Sequence, residues 1–146
     1  MPPPEREMIA HSEWKHEDVF EGVAENGNTI FLDGDSAHKH GPSPMEAVLM
    51  ALCACTSVDV VSILKKKRQQ LTGLRVSASA GRAETPPQVF THIRLTYAVR
   101  GVKLSRKAVE DAVLLSKNKY CSVSKMLEKA AAVDYEIVYP DGEPEP

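Results

Sequence analysis

At 146 residues the chain is long enough to bury a sizeable core and has the length of one domain. A formal net charge of −2, with its lysines and arginines interspersed among acids, argues against a nucleic-acid footprint. The opening residues, MPPPEREM, hold no apolar signal segment, so the expected location is the cytoplasm, where three cysteines are reduced thiols rather than a disulfide framework.

In chain order, residues 1–8 are Pro-rich and charged and read as a disordered lead-in. Ile9 to Lys15 and Val19 to Ala24 are short strand-like runs. Glu25-Asn26-Gly27-Asn28 is a hairpin turn, because Asn-Gly tolerates the positive φ that a tight turn needs, and Thr29 to Leu32 completes a meander. Asp33 to Pro42 is a polar loop that delivers the chain to its longest element.

That element runs from Ser43 to Gln70. Ser43, Pro44 and Glu46 spell a capping box with proline at the first helical position, and Lys65, Lys66, Lys67 and Arg68 put cations at the negative end of the dipole, with Gly73 as the stop. From Ala47 through Leu64 nearly every residue is small or apolar, interrupted by Thr56, Ser57, Asp59 and Ser62. A helix apolar on most of its circumference needs cover on most of it. Asp59 near the middle would be costly in lipid, so the expectation is a buried central helix and no membrane span.

After the helix, Leu74 to Ala80 and Phe90 to Arg100 alternate with period two, separated by Thr85-Pro86-Pro87, and pair as a long hairpin with Thr91, Ile93, Leu95, Tyr97 and Val99 on one face. Ser105 caps a helix to Tyr120 whose inner side carries Val109, Ala112, Val113 and Ser116. Cys121 to Ala130 is a second short helix with Val123, Met126 and Leu127 inward. Val133 to Tyr139 is a last strand, and residues 140–146 are a charged tail. The result is one α+β domain over residues 9–139 with antiparallel sheets around the long helix. One small sheet cannot cover such a helix, so a homodimer is expected, with the central helices of two chains packed over joined sheets.

The residues able to carry chemistry are few. Cys53 and Cys55 lie roughly 200° apart on the helix, so they are no metal-binding pair and at most one of them shares a site with Cys121. Cys121 opens its helix, where the dipole favours a lowered thiol pKa. Three inert core thiols remain the ordinary reading. Asp59 is one turn beyond Cys55 on the same face; its charge would raise a neighbouring thiol pKa, and it reads as structural. The capping box accounts for Glu46, and a polar loop accounts for His38 and His40, although those histidines could also supply a cation or bind metal as H-x-H.

The stretch GPSPMEAVLMALCACTSVDVVSILKKKRQ, followed at a distance by SKNKYCSVSKMLEKA, resembles the OsmC/Ohr family of peroxide-handling proteins and, within it, the YhfA-like subgroup. The likeness runs from Trp14 to Tyr139. It implies an OsmC-like intertwined homodimer and an antioxidant, stress-response role as a thiol-dependent peroxidase for organic hydroperoxides. In that mechanism Cys55 is the peroxidatic thiol, Cys121 resolves it, and a dithiol of the lipoyl type restores both, with no metal or organic cofactor. Two positions depart from the family pattern. Between Glu7 and Leu64 there is no arginine to activate Cys55, and Met45 follows Pro44 where the family has glutamate, with Glu46 one residue later. Two other readings stay open: the same dimer with idle cysteines, holding a small hydrophobic ligand in its interface cleft, and a metal site built from His38, His40 and a cysteine.

Overall fold

The computed structural model of the chain describes residue 1 and residues 5–145. Residues 2–4 of the expected lead-in, and residue 146 of the tail, lie outside the described residues. The chain divides into two compact units, Met1–Val48 and Leu49–Pro146, within the span expected as a single domain.

The first unit is a three-stranded antiparallel meander of β1 (Ala10–His16), β2 (Val19–Ala24) and β3 (Thr29–Asp33). Trp14 stands opposite Phe20, and Phe20 opposite Leu32, so one row of large apolar side chains crosses the sheet. In the turn between β2 and β3 only Gly27 takes a positive φ, 92°, while the Asn26 side chain accepts a hydrogen bond from the Asn28 N–H.

The loop after β3 is built on Asp33. Its buried carboxylate accepts the backbone N–H groups of Asp35 and His40, and its own N–H donates to the Pro42 carbonyl. Gly41 lies so close to β3 that a Cβ there would come within 2.5 Å of the Phe31 carbonyl oxygen. Backbone on both sides leaves little room to relax. Gly41→Ala is therefore expected to cost about 1–3 kcal/mol, the usual range for an added methyl in a tight site, read as a lower urea midpoint.

The long helix, α1 (Pro44–Lys66), begins as the capping box requires: the Ser43 hydroxyl accepts the Glu46 N–H at 3.1 Å and the Glu46 carboxylate accepts the Ser43 N–H at 3.0 Å. Its other end differs from the expectation. The helix stops at Lys66, where the Gln69 N–H reaches the Leu64 carbonyl and the Arg68 N–H reaches the Lys65 carbonyl, with Arg68 at φ 57°. This is a Schellman closure with arginine in the left-handed position where glycine is usual. Gly73 lies beyond it, at an irregularity in the next strand.

The second sheet has the order β4 (Gln70–Arg82), β5 (Phe90–Val102), β6 (Ala132–Val138). The β4–β5 hairpin is antiparallel as expected, but β6 runs parallel to β5, so the sheet is mixed. The cause is the crossover through α2 (Arg106–Leu115), a π-helical turn (Ser116–Tyr120) and α3 (Ser122–Leu127), which returns the chain to the starting end of β5. Ser105 caps α2 by accepting the Ala108 N–H.

The core of this unit takes the alternating row Ile93, Leu95, Tyr97 and Val99 from β5, and Val109, Ala112 and Val113 from α2. From α1 it takes one stripe, Leu52, Thr56, Val60 and Leu64, spaced by four residues. The expected burial around the whole helix is not met within one chain: Val58 is 69% exposed and Met50 54%. In α3 the expected inner Met126 is exposed and Ser124 is buried in its place. Cys121 forms the N-cap of that helix and lies outside its body.

Candidate functional site

Cys121 is fully buried, and its sulfur accepts the Ser124 N–H at 3.4 Å. The expectation of a lowered thiol pKa is overturned, because it is pushed up to about 11. Burial is the largest cause; the Ser124 N–H opposes it, and the neighbouring Cys55, then Asp59, add to the rise. A six-residue helix has too short a run of dipoles to offset the loss of water around the sulfur. Cys121 is thus a neutral thiol at ordinary pH.

Cys55 lies half-buried on α1 and is among the groups that raise the Cys121 thiol. All three cysteines are free thiols. Cys53 is half-buried and its pKa is raised by burial, without Cys55 or Cys121 among the causes.

Next to the thiol pair runs a chain of hydrogen bonds that the sequence did not reveal. The Tyr97 hydroxyl is 2.7 Å from the Thr56 hydroxyl, Thr56 is 2.7 Å from the Ser116 hydroxyl, and Ser116 donates to the Asp59 carboxylate at 2.8 Å. Tyr97, Thr56 and Ser116 are buried. Asp59, read from sequence as structural, accepts the Ser116 hydroxyl. The available signal was Thr56 and Asp59, two of the four polar residues that interrupt the apolar run of the helix. Their partners on β5 and after α2 carry no mark of their role in the sequence.

The loop residues have local partners. His38 Nδ1 lies 3.2 Å from the Asp33 carbonyl oxygen and its Nε2 lies 3.9 Å from Glu46. The His40 ring packs edge-on against His16, with centroids 5.4 Å apart. The two histidines therefore do not converge. Among the described residues no group of three His, Cys, Asp or Glu side chains could hold a metal ion. The Glu46 carboxyl is pulled below its ordinary value, first by the Ser43 backbone N–H and then by the Ser43 hydroxyl, as a helix cap explains.

Two buried acids make stability fall at high pH. Cys121 is raised from 9.0 to about 11, and Tyr97 from 10.0 to about 12, chiefly by burial. A raised folded-state pKa means that the folded chain holds its proton longer than the unfolded one. The stabilisation is complete below pH 9, and is lost between pH 9 and 11 for Cys121 and between pH 10 and 12 for Tyr97. The urea midpoint should drop across this window, and Tyr97→Phe should flatten its upper part.

Residues 34–136 match the family model described as OsmC-like protein. Protein YhfA of Escherichia coli K12 is 46% identical over 133 residues, which cover 90% of this chain and 98% of that protein. Among solved structures, a hypothetical protein from Aquifex aeolicus VF5 aligns with a TM-score of 0.79 at 31% identity, over 92% of this chain and 98% of that one. An organic hydroperoxide resistance protein from Elizabethkingia anophelis has a TM-score of 0.67 at 13% identity, over 93% and 98% of the two chains, and so shares the fold.

Proposed function

Because the chain belongs to the family of OsmC-like proteins, we propose that it is a cytoplasmic thiol-dependent peroxidase, reducing organic hydroperoxides through Cys55 and Cys121. The observation that supports this reading is that Cys55 is among the groups that raise the Cys121 thiol, so that two thiols far apart in sequence act on one another, one half-buried and one fully buried. The fold likeness to a protein named for organic hydroperoxide resistance supports the choice of substrate class.

The half-buried Cys55 is the thiol a peroxide can reach. Its thiolate attacks the outer peroxide oxygen, the O–O bond breaks, the alcohol leaves after taking a proton, and the sulfur is left as a sulfenic acid. Cys121 then displaces the hydroxyl as water to give a disulfide, and an external dithiol, lipoyl-type in this proposal, reduces that disulfide by exchange. The chain has no arginine between Glu7 and Leu64 to support a thiolate.

The reading includes a homodimer. In one chain, α1 is long and apolar enough to cross a bilayer by composition, yet only 22% of its apolar window is buried. Asp59, which accepts the Ser116 hydroxyl, lies on this helix and disfavours lipid, favouring a protein surface as the cover. A second copy of the chain offers the same apolar face in return.

The direct test is consumption of cumene hydroperoxide by the full chain with dihydrolipoamide. Turnover that depends on Cys55 supports the enzyme. No consumption above a thiol-free control, with retention of an apolar ligand, would favour the non-catalytic dimer that binds a small hydrophobic molecule.

A further inference from the structure

We infer that Asp59, acting through the Ser116 hydroxyl and the relay to Thr56 and Tyr97, is a positioning residue for the disulfide-forming step, because it holds the π-helical turn that presents Cys121 to Cys55. The inference rests on the peroxidase reading and adds to it the part of the chain that sets the second step.

Ser116 is the hinge of the argument, since it is bound from two sides. Its carbonyl accepts the Cys121 N–H at 2.8 Å, the five-residue closure of a π turn, and its hydroxyl bonds both Thr56 and Asp59 of α1. A π turn carries one residue more than the α-helix it interrupts and persists where its surroundings hold it. If the turn relaxed into α-helical register, everything after it would rotate by about 100°, the angle per residue of an α-helix. Cys121, the residue directly after the turn, would then leave Cys55.

The chemistry also points to the second step. Condensation breaks the S–O bond of the Cys55 sulfenic acid and forms the S–S bond, and the Cys121 proton leaves with the hydroxyl group as water. This step needs two sulfurs held in one geometry, because a disulfide tolerates only a narrow range of Cβ separation and torsion. The first step needs only Cys55 and the peroxide. Loss of the relay should therefore separate the two rates, which a general loss of structure would not do.

The experiment compares the wild type with Asp59→Asn, Ser116→Ala and Tyr97→Phe, each checked for its urea midpoint. One equivalent of cumene hydroperoxide is added, sulfenic acid at Cys55 is trapped with dimedone, and disulfide formation is followed in time. In Asp59→Asn and Ser116→Ala the first step should stay within about twofold of wild type. Disulfide formation should slow by about 10- to 100-fold, as for a misplacement of about 1 Å, and labelled sulfenic acid should accumulate. Tyr97→Phe, at the far end of the relay, should show a smaller effect of the same kind. Wild-type resolution rates in the variants, or both steps falling together, would overturn the inference while leaving the peroxidase reading in place. A wild type that forms no sulfenic acid would overturn both.

Discussion

Cys55→Ser should lower dihydrolipoamide-coupled reduction of cumene hydroperoxide by about 10³-fold or more, because the reaction has no other nucleophile at that position. Cys121→Ser should behave differently. Cys55 would still react once, and the chain would stop as a sulfenic acid that dimedone traps. Cys53→Ser should keep most of the activity, since the proposed reaction uses only Cys55 and Cys121. Stopped-flow consumption of one equivalent of peroxide, with mass spectrometry of the product, checks all three outcomes. Equal loss in all three variants would contradict the assignment, and so would wild-type activity in Cys55→Ser.

Val58→Asp should convert a dimer into a folded monomer. Val58 is 69% exposed in the single chain, so an aspartate there meets water in a monomer and costs the fold little. In a dimer built on the α1 face the same carboxylate is buried without a partner, at about 3–5 kcal/mol. That cost weakens association by roughly 10²- to 10³-fold or more. Light scattering at low micromolar concentration should give a dimer mass for the wild type and a monomer mass for the variant. Leu64→Ala, on the buried stripe of the same helix, should instead lower the stability of the fold by about 2–5 kcal/mol. A monomeric wild type, or a wild type that floats with lipid vesicles while Val58→Asp does not, would contradict the dimer.

The features legible in the sequence are those set by short-range rules. The capping box at Ser43 and Glu46 needs four residues and formed as read. The row Ile93, Leu95, Tyr97 and Val99 follows from period-two alternation, and Val109, Ala112, Val113 and Ser116 from helical spacing.

The differences come from partners far along the chain. A Schellman closure with arginine at φ 57° ends α1 before the glycine that the sequence offered. The parallel direction of β6 is set by the length of the crossover, not by the strand's own pattern. The π turn at Ser116–Tyr120 exists where Thr56 and Asp59 reach for Ser116, and nothing in SKNKY announces it. After it the extended Cys121 starts α3 afresh, and Ser124 is buried while Met126 is exposed.

The site divides along the same line. The proposed pairing of Cys55 with Cys121 rests on family resemblance, because spacing alone left open which helix cysteine shares a site with Cys121. The direction of the Cys121 shift was misread because a helix start is visible in sequence and complete burial of the sulfur is not.

The pairing of Cys55 with Cys121 is tested most directly by counting and mapping thiols in the full-length chain after one equivalent of cumene hydroperoxide. The account predicts that three free thiols become one, that the remaining thiol is Cys53, and that peptide mapping recovers a Cys55–Cys121 disulfide. Three thiols still free after the peroxide is added, or a disulfide that uses Cys53, would contradict it.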